Sequence, residues 1–196
     1  MRQRSPVRFD KRLRLLALAA TLALAGAAAS GAREGKNLAG APTENFGKVN
    51  DHYYRGGQPD AAGFAQLRQL GIKTVIDLRK DSRPEAPEQA RAEGLQYFNI
   101  PMKASRPATP EQTSYFLKLV NDPANWPVYV HCKGGRHRTG ALTAVYRITH
   151  DGWTADQAWD EMKKYDFNDS FFGGPPAQKN FVYDFYRQKT AASGQR

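Results

Sequence analysis

Cysteine is almost absent from this chain, since Cys132 is the only one among 196 residues. A single cysteine has no partner within the chain, which excludes a framework of intramolecular disulfides. A metal site at His137 is not expected either, because no second ligand stands at a suitable spacing. If the protein works in an oxidising compartment, an idle thiol is a liability there. The presence of Cys132 therefore points to a catalytic use.

Long apolar runs are also scarce, and the one near the N-terminus is short. Residues 15–29 form an alanine- and leucine-rich run of 15 residues, whereas a membrane-spanning helix needs about 20. Six basic residues precede this run and small residues end it, an order typical of a secretory signal. We predict a signal peptide over residues 1–29 and an exported protein, periplasmic or secreted. An uncleaved segment that anchors the protein to the membrane is the alternative.

Acidic residues are outnumbered by basic ones, 19 against 29, and the formal net charge is +10. The predicted signal holds six of the basic residues and one acidic residue, so residues 30–196 carry only +5. Much of the excess is therefore a targeting feature. Since no stripe of alternating basic and aromatic residues stands outside one short loop, we predict no nucleic-acid partner.

That short loop surrounds Cys132 and has the pattern of an anion-binding site. Residues 127–130 read as a short buried strand, and an apolar helical stretch begins at Ala141. Between them lies the run His131-Cys132-Lys133-Gly134-Gly135-Arg136-His137-Arg138-Thr139-Gly140. A strand, a tight glycine loop and a helix in this order point several backbone N–H groups at one anion.

The residue types of the loop suit phosphoryl transfer. Cys132 is the candidate nucleophile, because a helix N-terminus and nearby cations favour the thiolate. Arg138 can grip two phosphate oxygens with its planar guanidinium, and Thr139 can donate a hydrogen bond to the sulfur when the phosphocysteine breaks. We therefore predict covalent catalysis through a cysteinyl phosphate. The predicted phosphate-binding residues are Lys133, Gly134, Gly135, Arg136, His137 and Arg138.

This loop resembles the H-C-x5-R-[ST] signature of the cysteine-based tyrosine and dual-specificity phosphatases in every fixed position. It is most similar to the atypical dual-specificity branch of bacteria, plants and fungi. Two basic residues at the positions of Lys133 and Arg136 also occur in tensin-type lipid phosphatases. The similarity extends over residues 45–165 and implies the cysteine-phosphatase fold without a metal or organic cofactor. It further implies hydrolysis of phosphate monoesters on a phosphorylated protein or another polyanionic phosphate substrate.

Four other interpretations stay open on the sequence alone. Some members of that branch cleave inositol pyrophosphates, so an inositol polyphosphate, inositol pyrophosphate or phosphoinositide phosphatase is the alternative within the enzyme class. An inactive phosphate-binding module is the alternative outside it. Sulfurtransferases of the rhodanese type also place a cysteine loop at a helix start, although typically a shorter one. A lone buried cysteine can also be inert.

Strands and helices alternate along residues 49–190, which predicts an α/β fold with a central parallel-type sheet of four to five strands flanked by helices. Strands are predicted at 49–55, 74–78, 95–100 and 128–131. Asp60, Thr109 and Thr154 are predicted helix caps. The last three helices are predicted at 139–150, 154–165 and 176–190. We predict one phosphatase-like domain over 49–190, after a linker at 30–48 and before a tail at 191–196.

The sequence lacks the general acid that the resemblance implies, an aspartate on the loop after the third strand. Residues 99–107 contain no carboxylate. The candidate carboxylates elsewhere in the chain are Glu111, Asp77, Asp166 and Asp169. Glu111 suits a helix first turn and Asp77 an ion pair with Arg79. Without a conventional acid, leaving groups that need little protonation are favoured, so we expect phosphotyrosine or phosphoanhydride substrates to be preferred over phosphoserine.

Overall fold

The computed structural model describes residues 40–167 and 175–193. Five of its strands form one sheet in the order β1-β2-β5-β3-β4. In chain order they are β1 (Gly47–Lys48), β2 (Tyr53–Gly56), β3 (Thr74–Arg79), β4 (Gln96–Met102) and β5 (Val128–His131). β1 pairs with β2 in antiparallel orientation, and the other three pairings are parallel. The predicted α/β fold is confirmed, with a mixed rather than wholly parallel sheet.

Six helices accompany the sheet in the described residues. They are α1 (Ala61–Gln69), α2 (Ala86–Ala92), α3 (Pro110–Asn121), α4 (His137–His150), α5 (Ala155–Lys164) and α6 (Pro175–Ser193). The three predicted caps are confirmed: the side chain of Asp60 accepts the N–H of Gly63 at 2.8 Å, and Thr109 and Thr154 each form a capping box. These side chains satisfy N–H groups that the first turn of a helix leaves without a partner.

The central strands are buried on both faces of the sheet. All six residues of β3 and all four of β5 are buried, which explains why both strands are rich in apolar residues. On one face, Phe116 and Leu142 pack with sheet residues in a core that includes residues of α3 and α4. On the other face, Phe64 and Ala90 pack with sheet residues in a core that includes residues of α1 and α2. A third cluster joins α4, α5 and α6.

The parallel pairing brings three strand ends to one edge of the sheet. Gly56 of β2 and Asp77 of β3 both stand opposite His131, the last residue of β5. The segments that follow these strands therefore start side by side. Cys132 is the first residue beyond β5, so the candidate nucleophile lies at the edge where parallel α/β sheets bind their ligands.

The structure corrects several predicted boundaries. A single strand over 49–55 was expected, but residues 49–52 form a turn between β1 and β2. The predicted linker at 30–48 contains β1 in its last two residues, and its described part packs into the domain. α4 begins two residues earlier than expected, at His137, and α6 continues to Ser193 inside the predicted tail.

The predicted signal segment, residues 1–29, lies outside the described residues. Among the helices of residues 40–167 and 175–193, none is both long enough and apolar enough to cross a membrane.

Candidate functional site

The loop between β5 and α4 surrounds the free thiol of Cys132. Cys132 is 4% exposed and opens into a cavity of about 490 Å³. The lining residues are Glu44, Ala104, Cys132, Lys133, Gly134, Arg136, His137, Arg138 and Asp166. Six of the eight predicted site residues therefore line one cavity. The other two, Gly135 and Thr139, are buried beside it.

Gly135 presses the loop against strand β2. Its φ angle is +67°, in the left-handed region that favours glycine. A Cβ atom built on it would lie 2.5 Å from the carbonyl carbon of Gly56 and 2.8 Å from the nitrogen of Gly57. Both the conformation and the close approach therefore require glycine at this position.

The guanidinium of Arg138 is held by a hydrogen bond to the end of strand β4. Arg138 is 5% exposed, and its Nη1 donates to the carbonyl of Met102, the last residue of β4, at 3.0 Å. The same nitrogen lies 3.4 Å from Oδ1 of Asp81. The hydrogen bond from Arg79, with a smaller contribution from Arg138, lowers the pKa of Asp81 to about 2. Asp81 is therefore an ionised carboxylate that neighbours the arginine predicted to bind phosphate.

His131 supports the backbone of Cys132 from beneath the loop. Its ring is fully buried, and Nδ1 lies 3.2 Å from the carbonyl oxygen of Cys132 and 3.8 Å from Oδ1 of Asp77. Burial lowers the pKa of His131, and the nearby Asp77 carboxylate opposes this effect in part. A neutral imidazole is thus held, through its Nδ1, against the backbone carbonyl of Cys132.

Asp77 has a structural role that differs from the expected ion pair with Arg79. Its carboxylate accepts the backbone N–H of Arg79 at 2.8 Å and the hydroxyls of Ser82 and Tyr97. The guanidinium of Arg79 instead pairs with Asp81 at 3.1 Å. Asp77 therefore links the turn after β3 to strand β4. Its carboxylate does not pair with the guanidinium of Arg79.

The remaining basic side chains of the loop differ in their exposure and their partners. Lys133 is exposed at the mouth of the cavity. Arg136 is partly exposed and lies 3.6 Å from the carboxylate of Glu44, and His137 packs edge-on against the ring of Phe167. With Arg138 deeper in the cavity, three basic side chains share the cavity of the thiol, and they suit an anionic ligand.

Two carboxylates line this cavity among the described residues, Glu44 and Asp166. Asp166 was a predicted acid candidate and follows α5 with a φ of 56°, whereas Asp169 lies outside the described residues. Glu111 does not line the cavity, and a bond to its own backbone N–H in the first turn of α3 lowers its pKa. The loop after β4 contributes Ala104 to the lining of the cavity. The part of the cavity wall where the resemblance implies an aspartate therefore has no carboxylate.

Sequence reasoning missed Glu44 and Asp81. A signal for Asp81 existed, because it follows β3 and the carboxyl ends of parallel strands share one edge. Glu44 lies in the predicted linker at 30–48, and only its contact with the loop identifies it. Within the described ranges, 40–167 and 175–193, no group of three His, Cys, Asp or Glu side chains could hold a metal ion.

Comparison with known proteins finds the same type of domain. Residues 41–182 match the family described as DSP-PTPase phosphatase fused to NAD+ kinase. The chain is 33% identical over 128 residues to the dual specificity protein phosphatase TpbA of Pseudomonas aeruginosa, a stretch that covers 65% of this chain and 57% of TpbA. It is 31% identical over 137 residues to the inositol diphosphatase DSP4 of Arabidopsis thaliana, covering 63% of this chain and 65% of that protein.

Solved structures agree with this result. The core catalytic domain of the PP-IP phosphatase Siw14 from Saccharomyces cerevisiae superposes with a TM-score of 0.64 at 26% identity, covering 79% of this chain and 94% of that chain. TpbA in complex with pTyr superposes with a TM-score of 0.61 at 27% identity, covering 75% of this chain and 90% of that chain. Both neighbours are phosphatases, which agrees with the chemistry that the loop supports.

Proposed function

The chain belongs to the dual-specificity-type family of cysteine phosphatases, and on this premise we propose that it hydrolyses phosphate monoesters of phosphorylated proteins through a cysteinyl-phosphate intermediate. One observation carries the proposal. A buried thiol, a buried arginine and a glycine loop at a helix start converge on one cavity at the carboxyl edge of the sheet.

Each residue has a distinct part in this reaction. The thiolate of Cys132 attacks phosphorus, the S–P bond forms and the bond to the leaving oxygen breaks. Arg138 and the loop N–H groups bind the phosphate oxygens as charge develops on them. Water then attacks the phosphocysteine, the S–P bond breaks, and the hydroxyl of Thr139 donates a hydrogen bond to the departing sulfur. Cys132 returns to its thiolate form and inorganic phosphate leaves.

Phosphotyrosine is the substrate class that this site favours among protein phosphates. The wall formed by residues 103–107 offers no carboxylate to protonate a leaving oxygen. A phenol has a pKa near ~10, so a phenolate departs with less help than the alkoxide of phosphoserine. The absence of an acid on that wall therefore costs an aryl ester less than an alkyl ester.

The basic side chains that line the cavity support a second candidate function. This function is the hydrolysis of an inositol pyrophosphate or polyphosphate. Lys133, Arg136 and Arg138 line the same cavity, which suits a ligand with several phosphates. In a pyrophosphate the leaving group is itself a phosphate, so the bond breaks without a strong general acid. Siw14, a PP-IP phosphatase, is a structural neighbour of the chain.

A substrate panel on residues 30–196 tests both candidates. A phosphotyrosine peptide, the same peptide with phosphoserine, and an inositol pyrophosphate are compared by phosphate release. We expect turnover of the first or the third to exceed that of phosphoserine at least tenfold, and equal rates on phosphoserine would contradict the proposal. Cys132→Ser should abolish turnover while phosphate still binds, and Arg138→Lys should lose most of the activity because a point charge does not replace a planar fork.

The same panel tests the inactive-module alternative, which predicts phosphate binding without turnover of any substrate.

We also propose that the protein is exported, on the support of the basic head and the 15-residue apolar run before residue 30. N-terminal sequencing of the protein recovered outside the cytoplasm tests this: cleavage near residue 29 is expected. Recovery of the whole chain in the membrane fraction would favour the anchor.

A further inference from the structure

The active loop needs hydrogen-bond donors behind it as well as a ligand in front of it. In a trans peptide, the C=O of one residue and the N–H of the next point in opposite directions. If the N–H groups of Gly134, Gly135 and Arg136 face the phosphate, the carbonyls of the preceding residues face the protein interior. Each buried carbonyl then requires a donor of its own.

The structure supplies one donor for each of these three carbonyls. The backbone N–H of Gln58 donates to Lys133 at 3.0 Å. Nδ2 of Asn45 donates to Gly134 at 3.2 Å, and Nη2 of Arg55 donates to Gly135 at 2.9 Å. All three donors come from residues 45–58, the segment that contains β1 and β2.

The opposite ends of the same peptides are available to a ligand. The N–H groups of Gly134, Gly135 and Arg136 have no acceptor within residues 40–167 and 175–193. The three held carbonyls therefore leave three adjacent N–H groups directed away from the protein interior. This is the arrangement that binds an anion.

The two side-chain donors are themselves rigidly placed. Asn45 is 2% exposed, has a φ of 56° and makes a second bond from Nδ2 to the carbonyl of Tyr165 at 2.8 Å. Arg55 is fully buried, and its guanidinium stacks 3.7 Å from the ring centroid of Tyr165 and lies 4.0 Å from the carboxylate of Glu161. Neither side chain lines the cavity that contains Cys132.

We propose that Asn45 and Arg55 are positioning residues of the phosphatase site. By holding the carbonyls of Gly134 and Gly135 inward, they direct the N–H groups of Gly135 and Arg136 toward the phosphate and the sulfur of Cys132. The buried charge of Arg55 adds to this effect, since a carbonyl that accepts from a cation polarises the N–H of its own peptide. The proposal rests on the phosphatase function and extends it to a segment outside the loop.

Two variants remove these donors with limited damage to the fold. Asn45→Gly deletes the amide, and glycine accepts the positive φ without strain. Arg55→Met deletes the guanidinium and keeps a long apolar chain over Tyr165. Arg147→Met is the matched control: Arg147 is 2% exposed, pairs with Glu161 at 2.7 Å and stacks on Trp153, but it makes no contact with the loop among the described hydrogen bonds and ion pairs.

Two readouts separate positioning from general support of the fold, and neither requires turnover. The first is the pH midpoint of Cys132 alkylation by iodoacetamide, and the second is the dissociation constant of vanadate. We expect both donor variants to move the midpoint upward by about one pH unit and to weaken vanadate binding about tenfold, as the loss of a charge-assisted contact would. Arg55→Lys should recover part of both effects, because an ammonium can still donate to the carbonyl of Gly135.

The control variant defines the result that overturns the proposal. Arg147→Met should lower the urea midpoint of unfolding and leave the alkylation and vanadate values of the folded protein unchanged. If Asn45→Gly and Arg55→Met behave like Arg147→Met, the two residues only stabilise the fold. If the intact protein binds vanadate but hydrolyses no substrate, the phosphatase function fails, while the positioning proposal is still decided by the two binding readouts.

Discussion

Replacing Gly135 by alanine tests the packing of the active loop on β2. The added methyl group meets the carbonyl carbon of Gly56 at 2.5 Å and its oxygen at 2.7 Å. These are backbone atoms of a strand inside the sheet, and they cannot rotate away as a flexible side chain can. To restore ordinary van der Waals contact at 3.4 Å, the loop must retreat by about 0.9 Å.

Two costs contribute to the loss of stability. The φ of +67° puts an alanine in the left-handed region, at roughly 1–2 kcal/mol. Overpacking against a fixed neighbour adds roughly 1–3 kcal/mol. The expected loss is therefore about 2–5 kcal/mol in the free energy of unfolding. A shift of about 1 Å in catalytic groups can lower the rate about 100-fold, so we expect the turnover of an aryl phosphate to fall by that order.

Gly152→Ala provides the matched control. Gly152 has nearly the same φ, +70°, but a Cβ built on it meets nothing within 4 Å. It should lose only the conformational part, about 1–2 kcal/mol, and keep its turnover. Urea unfolding and initial rates on para-nitrophenyl phosphate measure both quantities. If the two variants lost equal stability and both kept wild-type rates, the close approach of the loop to β2 would have no role in the site.

Three further outcomes are expected. Asp81→Asn should tighten inhibition by inorganic phosphate a few-fold at low salt, because an exposed ion pair with Arg138 is worth about 0.2–1 kcal/mol; unchanged inhibition would show that the pair does not compete with the ligand. Glu161→Ala should cost about 3–5 kcal/mol in urea unfolding, because it strips a buried partner from two arginines, whereas the exposed Asp160→Ala should cost little; similar losses would refute this. Burial lowers the pKa of His131, so the unfolded chain takes up its proton first and the free energy of unfolding should fall as the pH drops below ~6.5. His131→Gln should flatten this pH dependence, and an unaltered slope would contradict the assignment.

The fold could be predicted where local signals and burial agree. Strands β3 and β5 are rich in apolar residues because both faces of the sheet are covered at these strands. Asp60, Thr109 and Thr154 cap helices through hydrogen bonds to the residue three positions further along the chain. Residues 47–55 gave a weaker signal. β1 has only two residues, and a pair that short is defined by its contacts with the rest of the sheet rather than by its own composition.

The residues of the candidate site also differ in how far the sequence predicts them. Cys132 and Arg138 could be identified from spacing, because the strand, loop and helix that place them are contiguous in the sequence. Glu44 and Arg55 could not, since their contacts with the loop join positions 92 and 80 residues apart. For Asp81 the sequence offered only its place after β3, and its contact with Arg138 joins positions 57 residues apart. Such contacts depend on the order of strands in the sheet, which a sequence without its structure does not state.

The electrostatics of the cavity bear on which leaving groups the site can serve. A general acid must hold a proton near neutral pH, and its pKa should lie close to the working pH. Asp81 stands nearest to Arg138, yet the adjacent guanidinium of Arg79 lowers its pKa to about 2, so it is ionised and holds no proton to give. A cation beside the phosphate-binding arginine thus prevents this carboxylate from acting as the acid. A site built in this way is matched to substrates whose leaving group is already a weak base.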